Sequence, residues 1–385
     1  MSDSPQTNQI QASLPRRLAV YTRAELFRLR RRKGTRKMLI AFVIASAVSC
    51  IFMVALSGLM PWNTSAQVEF TPDEIQAMIV NLESSIANYD NIIEEASGDF
   101  TRTMEVRAAR ISRAHAARQI EVLQYVLDRG IDTGSATIIL TDAPLLTAIF
   151  GGNLDAENMS AIRTIGRNSW FYTAFVAMAM SAMSVVMIIY AAIIGGTAAG
   201  VDYEDKSIRM YLLRPIKRGE GLFAKYFAAL AQMVFYAVLG FLIAFVVTLL
   251  SQGWDMTTLV FHNGLGVVAV NPFVMLAGMF FSFLLMGIVY MTFAFMLASL
   301  TKSRIAAVIL CIVITQVAGL FDIVALIAPP ISWIMFFTHA DINLYWANMM
   351  PLPNMNFLAS LIINLLYIAG FLLLSWAVVR RRRLE

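Results

Sequence analysis

Residues 200–226 read GVDYEDKSIRMYLLRPIKRGEGLFAKY, and long apolar segments flank them on both sides. Thirteen of these 27 residues are charged or glycine. The flanking segments have the length and composition of membrane spans. Residues 200–226, hereafter the strip, are therefore predicted to join two membrane helices, with their charges in water at one side of the bilayer.

The composition as a whole indicates an integral membrane protein. Of 385 residues, 58% are hydrophobic and 14% are charged, and the mean hydropathy is +0.67. Soluble domains have about 25% charged residues. Both cysteines, Cys50 and Cys311, fall within apolar segments, and the three histidines lie far apart in the sequence. No disulfide framework and no metal-binding pattern is therefore expected.

Six segments are long and apolar enough to cross a bilayer, which takes about 20 residues. Several would reach about 45 Å as helices, so they must tilt, kink or protrude beyond a hydrocarbon core of about 30 Å. The expected fold class is an all-α integral membrane protein with six transmembrane helices. The expected spans are 38–60, 170–199, 221–250, 272–300, 305–328 and 356–379.

The distribution of basic residues predicts the orientation of these spans. Ten lysines and arginines precede the first span and four arginines lie near the end of the chain, whereas the connections 251–271 and 329–355 contain none. Positive charge marks the cytoplasmic side. Both termini and the strip are therefore predicted to be cytoplasmic, in a multi-pass protein of the cell (plasma) membrane.

Residues 61–169, hereafter the insert, are predicted to form a helical domain outside the cell. They hold 15 acidic and 8 basic residues, a net charge of −7. A capping box that begins at Thr71 precedes apolar residues at alternating spacings of four and three, which is typical of a helix packed on another helix. A second helix is expected over 101–129, ended by Gly130, followed by about 30 partly helical residues. A structural cap and a substrate- or partner-contacting domain both fit this pattern.

The strip comes within one residue of a phosphate-binding loop. Residues 200–207, GVDYEDKS, match G-x-x-x-x-G-K-[ST] except that Asp205 replaces the second glycine. A carboxylate there would repel phosphate groups, and a membrane helix rather than a strand precedes the loop. The chain is therefore not expected to bind ATP, and the sequence contains neither G-x-S-x-G nor H-E-x-x-H.

Three polar residues inside predicted spans are candidates for a translocation path. Asp322 is an acid in an apolar segment, and such a residue is a functional candidate by default. Its expected depth, near the outer boundary, fits a structural role as well. Gln232 and Gln316 are of the type that more often forms hydrogen bonds between helices.

The segment 23–37, RAELFRLRRRKGTRK, is basic and amphipathic and directly precedes the first span. Such a helix would lie in the cytoplasmic interface with its arginines toward anionic lipid. Together with the strip and six spans, it resembles the membrane subunit of a type-2 ABC exporter, a permease that works with a separate ATPase. Family members carry approximately E-x-x-G-[ST]-x-x-x-L-L-x-x-P-[IV]-x-R…K after the second span. This pattern is echoed here, with Lys206 where glycine is usual, by Glu204, Ser207, Leu212, Leu213, Pro215, Ile216, Arg218 and Lys225.

The resemblance implies a coupling segment over 201–218 that docks on the ATPase, and an elbow helix before the first span. Residues 202–213 can form a short amphipathic helix that Pro215 ends. An ordinary cytoplasmic loop needs only the basic residues and does not explain the acidic ones together with the proline. The predicted coupling residues are Asp202, Glu204, Asp205, Ser207, Arg209, Leu212, Leu213, Pro215 and Arg218, and the predicted elbow residues are Glu25, Leu26, Arg28 and Leu29.

The expected organisation follows from these assignments. The N-terminus and elbow helix occupy 1–37, and the insert separates the span 38–60 from the remaining spans in 170–379. A basic tail, 380–385, ends the chain.

The expected function is that of a permease subunit without an ATPase site of its own. It would pair with a second permease copy or homologue and with two copies of an ABC ATPase, which would carry ATP and Mg²⁺. The cargo would be amphiphilic or hydrophobic, such as a peptide, an antibiotic or a lipid-like molecule. No cofactor on this chain and no nucleic-acid contact are expected. The alternatives are a Na⁺ efflux permease of the same family, or a membrane sensor or scaffold that binds no ATPase.

Overall fold

The structure is a computed structural model of the chain. The residues that it describes are 14–31, 33–59, 70–96, 102–140, 163–166, 171, 175, 179–204, 218–255, 257–318, 333–346 and 355–381. Their elements, in chain order, are α1 (Leu14–Arg31), α2 (Lys33–Leu59), α3 (Pro72–Glu95), α4 (Thr103–Arg129), β1 (Ala136–Leu140), β2 (Arg163–Gly166), α5 (Ser181–Glu204), α6 (Arg218–Gln252), β3 (Thr258–His262), β4 (Val267–Val270), α7 (Pro272–Thr301), α8 (Arg304–Ala318), α9 (Phe336–Ala340), α10 (Asn343–Trp346) and α11 (Phe357–Arg381).

Five of these helices are long and apolar enough to cross a membrane, namely α2, α5, α6, α7 and α11. The fifth predicted span, 305–328, is represented by α8, which is apolar but only 15 residues long. Residues 319–332 lie outside the described residues. The mostly helical membrane architecture is thus confirmed, whereas the six-span count stays a prediction.

The core of the bundle surrounds α5, which packs against α2, α6, α7 and α8. Large side chains such as Phe42, Tyr236 and Phe283 are completely or almost completely buried there. Helices α2, α6 and α8 begin at one end of the bundle, where α5, α7 and α11 finish. We call this end the basic end, because it carries Arg304, Arg380 and the helix termini that flank the strip. The opposite end is the sheet end.

The insert contains the two predicted helices, packed against each other as an antiparallel pair. Thr71 caps α3 with the predicted capping box, in which the Thr71 backbone N–H donates to Glu74 at 2.7 Å. Gly130, with φ of 56°, ends α4 in the left-handed conformation, as expected. Ile75 shares a cluster with Val126, whereas Arg113 pairs with Asp90 at 2.6 Å, so the two helices run in opposite directions.

A four-stranded sheet, which the sequence analysis did not predict, attaches the insert to the bundle. Its strand order is β2-β1-β3-β4. The β3–β4 hairpin lies between α6 and α7, and β3 pairs in parallel with β1, with Ile138 opposite Val260. The described residues that follow α4 are therefore strands, in a region where partial helix was expected.

The adjacent strands β1 and β3 bury side chains on both of their faces, since successive side chains of a strand point to opposite sides. Ile139, Leu259 and Phe261 belong to the bundle core. The neighbouring Ile138 and Val260 instead belong to the core that the sheet shares with α3 and α4. All five residues of β1 are buried, which explains why ATIIL shows no polar alternation.

Candidate coupling site at the basic end

The middle of the strip, 205–217, lies outside the described residues, as do the predicted coupling residues in it: Asp205, Ser207, Arg209, Leu212, Leu213 and Pro215. The two flanks of the strip are described. Asp202 and Glu204 lie in the last turn of α5, and Arg218 is the first residue of α6. Of these three residues, only Glu204 has a described side chain. The geometry of the site is therefore described from the contacts of Glu204.

Glu204 binds the N-terminus of α8, a hundred residues further along the chain. Its Oε1 accepts hydrogen bonds from the Ser303 hydroxyl at 3.0 Å and from the Arg304 backbone N–H at 2.9 Å. Its Oε2 lies 2.7 Å from Nε of the Arg304 side chain. The first backbone N–H groups of a helix have no partner within it, and the helix dipole favours a negative charge there. Glu204 therefore caps α8 from α5.

These contacts keep the Glu204 carboxyl ionised. Partial burial would raise its pKa, but the hydrogen bonds from Ser303, Arg304 and Ile305 and the charge of Arg304 outweigh it and lower the pKa. Because the pKa is lowered, the interaction is present at neutral pH and is lost only as the pH falls through that lowered value. The cap is therefore intact under physiological conditions.

The turn between α7 and α8 is short and conformationally fixed. Lys302 adopts a left-handed conformation, with φ of 58°, and its backbone N–H donates to the Ala298 carbonyl at 3.0 Å. Thr301 and Ser303 complete the turn with further hydrogen bonds. Since α8 starts at the very next residue, Glu204 is connected through this turn to two helices at once.

Two glycines let the last turns of α5 approach its neighbours closely. A Cβ placed on Gly195 would lie 2.1 Å from the Met291 carbonyl oxygen of α7. One placed on Gly200 would lie 2.6 Å from the Arg304 backbone nitrogen of α8. Small residues at such points allow membrane helices to pack backbone to backbone. The end of α5 is thus packed closely against both α7 and α8.

The other flank of the strip is held by α1, the predicted elbow helix. In the first turn of α6, Glu220 is buried and lies 3.4 Å from a terminal guanidinium nitrogen of Arg17. Within α1, Glu25 is also buried and lies 3.7 Å from Arg28. Leu26 is half-buried, and the side chain of Leu29 lies outside the described residues.

Helix α11 also reaches this flank. The Trp376 indole nitrogen lies 3.1 Å from where a Cβ on Gly219 would be, and the Arg380 guanidinium lies over the Trp376 ring at 5.0 Å. Both flanks of the strip are therefore fixed to other helices, one by Glu204 and the other by Glu220. Sequence reasoning singled out Glu204 without its partners and missed Glu220, although both stand at the charged edges of the strip.

The predicted path residues are not brought together by the described residues. Gln232 is half-buried on α6, Gln316 is exposed on α8, and Asp322 lies outside the described residues. Sequence reasoning instead missed a polar cluster around residues 333–346. This segment packs along α11 at membrane depth, since Phe336 contacts Phe371 about 21 Å from the start of that helix.

The polar cluster forms a directed chain of hydrogen bonds. His339 Nε2 lies 3.1 Å from the Trp333 carbonyl, an acceptor, so Nε2 carries the proton and Nδ1 accepts from the Ser360 hydroxyl at 2.7 Å. Ser360 in turn accepts from the Tyr345 hydroxyl. The Asn364 amide nitrogen donates to the His339 carbonyl at 2.6 Å. Backbone outside a long helix is tolerated at membrane depth where protein buries it in this way.

A second group of charged side chains lies at the sheet end. His262 Nε2 lies 3.1 Å from Glu121, and His262 Nδ1 accepts from the Gly264 backbone N–H at 3.0 Å. Burial lowers the pKa of His262, the charge of Arg118 lowers it further, and Glu121 partly opposes the shift. His262 is thus held neutral and ties the β3–β4 hairpin to α4.

His115, one turn before Arg118, is more strongly perturbed. Burial lowers its pKa to about 4, and the charge of Arg118 acts in the same direction. Its Nε2 has no hydrogen-bond partner among the described residues. His115 is therefore a neutral side chain inside the insert.

The described part of the chain contains no group of three or more histidine, cysteine, aspartate or glutamate side chains that could hold a metal ion. The contacts described above join helices and strands that are distant in the sequence.

Comparison with known proteins identifies the family. The model of the "ABC-2 family transporter protein" matches residues 31–382, from the end of α1 through α11. Among the curated proteins, none matches this chain. The family match covers all five helices that could span a membrane and both flanks of the strip. The chain therefore belongs to the ABC-2 family and is a membrane subunit of an ABC transporter.

Proposed function

We propose that the chain is the permease subunit of an ATP-driven exporter and that the middle of the strip, 205–217, is the docking site of its ATPase. The observation that carries this proposal is the cap that Glu204 places on α8. Glu204 directly precedes residues 205–217 at the end of α5, and the cap connects it to α8 as well.

The contacts at the two flanks suggest how a movement of the docked segment reaches the bundle. A force on residues 205–217 acts on α5 and α6. From α5 it passes to α7 and α8 through Glu204 and the glycine contacts. From α6 it passes to α1 through Glu220. Charged and close-packed contacts of this kind transmit displacement because they have little freedom to relax.

In this proposal the basic end faces the cytoplasm and the insert lies outside. The positive-inside distribution of lysine and arginine supports this orientation. Two copies of an ABC ATPase, which hold ATP and Mg²⁺, bind a pair of permease chains, and this chain binds no nucleotide. The predicted elbow role of α1 is supported by its packing against the first turns of α6.

The cargo that fits best is amphiphilic. An aromatic cluster, in which Phe293 and Phe336 lie 5.1 Å apart, and the hydrogen-bond chain of His339 and Ser360 are both buried against α11. In this proposal, separation of the packed helices during transport exposes partners for both an apolar body and a polar group. A peptide, an antibiotic or a lipid-like molecule has that character.

Site-specific cross-linking tests the docking site. Cys50 and Cys311 are buried, so both can be replaced by serine or alanine and a single new cysteine introduced. Leu212→Cys, in the full-length chain purified with its ABC ATPase, is expected to cross-link to the ATPase. Leu265→Cys is the matched control, because Leu265 is exposed at the sheet end.

Three outcomes would overturn the proposal. The first is that no ABC ATPase co-purifies with the chain, which is the result expected of a sensor or scaffold. The second is cross-linking at position 265 rather than 212, which would invert the orientation. The third is a complex that hydrolyses ATP normally when Arg218→Glu and Glu204→Arg are combined.

Na⁺ efflux is a second candidate, favoured by one observation. Asn364 Oδ1 and Thr338 Oγ1 are buried oxygens without a hydrogen-bond partner among the described residues, and the half-buried Asp341 follows Thr338 by three residues. Oxygen atoms of this kind are ligands for hard cations. Reconstituted complex should then transport ²²Na⁺ with ATP, and Asn364→Leu should abolish it. Absence of ATP-dependent ²²Na⁺ flux would exclude this candidate.

A further inference from the structure

The outward face of α1 alternates basic and apolar side chains. Arg16, Val20, Arg23 and Phe27 recur at spacings of four, three and four, so they share one face of the helix. All four are exposed, with 48% of Val20 and 55% of Phe27 accessible. The opposite face carries Arg17, Glu25 and Arg28, which take part in the contacts described above. Two large apolar side chains thus alternate with two arginines along the exposed face.

The arginines of the two faces differ in their partners. Arg17 pairs with Glu220 and Arg28 with Glu25. Neither Arg16 nor Arg23 forms an ion pair with any carboxylate of the described residues. Their positive charges are therefore available to an external anion.

The start of α2 shows the same order of side chains. Arg36 and Lys37 are exposed, and Ile40 and Ile44 follow them at helical spacing, also exposed. Such a change from basic to apolar within one or two turns is typical of the level at which lipid phosphates meet acyl chains. Helix α1 directly precedes this level, so its outward face is next to the same boundary.

We propose that the outward face of α1 binds an anionic phospholipid of the leaflet at the basic end. Arg16 and Arg23 contact the phosphate group, and an acyl chain lies against Val20 and Phe27. A soluble anion would use the arginines only, and a neutral lipid would use only the apolar side chains. A molecule that joins a negative head to an apolar tail matches both. This inference does not depend on which ATPase or cargo the transporter has.

Lipid titration of the purified full-length chain tests the proposal. Native mass spectrometry in detergent gives apparent dissociation constants for phosphatidylglycerol and phosphatidylcholine. Phosphatidylglycerol is expected to bind more tightly. A basic residue near an anionic surface contributes about 1 kcal/mol, so R16Q/R23Q should weaken phosphatidylglycerol binding by about 30-fold and leave phosphatidylcholine binding unchanged.

Three variants separate charge, position and apolar contact. R16K/R23K keeps both charges and should bind phosphatidylglycerol within about threefold of the wild type. R110Q/R129Q removes two exposed arginines of the insert and should have no effect. Phe27→Ser should weaken binding of the lipid, whereas excess inorganic phosphate should not displace it. Thermal unfolding of each variant shows whether the fold is retained.

Four results would overturn the proposal. The first is equal affinity of the wild type for both lipids. The second is an R16Q/R23Q variant that binds phosphatidylglycerol like the wild type, and the third is an R110Q/R129Q variant that loses as much affinity as R16Q/R23Q. The fourth is a change of oligomeric state in R16Q/R23Q without loss of lipid, because the face would then be a contact between protein chains.

Discussion

The basic end and the sheet end of the bundle join distant parts of the chain by different interactions. At the basic end, single charged side chains connect helix termini, as Glu204 does with α8 and Arg17 with Glu220. At the sheet end, parallel backbone pairing of β1 with β3 and two apolar cores connect the insert to the bundle. In the proposed coupling, a partner that displaces one helix terminus at the basic end would act on the helices joined to it, whereas the buried strands β1 and β3 would hold the insert in place. The two ends therefore suit different roles, one in transmitting movement and the other in anchoring the insert.

The largest effect is expected inside the sheet. Val260 is completely buried between β1 and the insert helices, so Val260→Asp would place an unpaired charge there. We expect a loss of about 4 kcal/mol or more in the free energy of unfolding, measured by thermal or denaturant unfolding in detergent. Val80→Asp, at an exposed position of α3, should change it by less than about 0.5 kcal/mol. Equal effects of the two would mean that the sheet does not hold the insert.

The next largest effect is a pH dependence of the free energy of unfolding, caused by His115 in the insert. Because the pKa of His115 is lowered to about 4, the unfolded chain binds its proton first as the pH falls below about 6.5. Stability should then fall by about 1.4 kcal/mol per pH unit at most, or about 2–3 kcal/mol between pH 6.5 and 4.

His115→Gln is the control for this titration. It removes the titrating group, so its unfolding free energy should vary less with pH over that window than that of the wild type. Parallel pH profiles for the two proteins would show that His115 is not buried neutral.

The smallest of these effects on the free energy of unfolding is expected from Gly195, where α5 packs against α7. Gly195→Ala would bring a methyl group against the Met291 carbonyl and should destabilise the fold by about 1–3 kcal/mol. Gly370→Ala, in α11, meets nothing within 4 Å and should be neutral or slightly stabilising. Thermal unfolding of the two variants measures the difference, and the reverse order would contradict the close approach of α5 and α7.

Local signals made part of this fold predictable. The capping box at Thr71 and the left-handed Gly130 each depend on a few neighbouring residues. As expected, the first marks the start of α3 and the second marks the end of α4. Long apolar runs likewise predicted the five spanning helices. The boundaries of α3 and α4 followed because caps and stops act within one or two turns.

Contacts between distant residues were not predictable in the same way. The strand ATIIL pairs with TLVFH about 120 residues later. Neither segment shows the alternation of apolar and polar residues that is typical of a strand with one solvent-exposed face. The cap that Glu204 places on α8 spans about a hundred residues. The middle of the strip lies outside the described residues, so the roles of Asp205 and Pro215 stay predictions.

The most direct test of coupling through Glu204 is ATP hydrolysis and transport by the reconstituted complex of Glu204→Gln. The amide loses the charge that binds Arg304 and the α8 N-terminus, but leaves the middle of the strip unchanged. We expect the Leu212→Cys cross-link to the ATPase to persist while transport per ATP hydrolysed falls strongly. Glu83→Gln, an exposed change in the insert, should leave both unchanged. Normal transport per ATP in Glu204→Gln would contradict a coupling role for this contact.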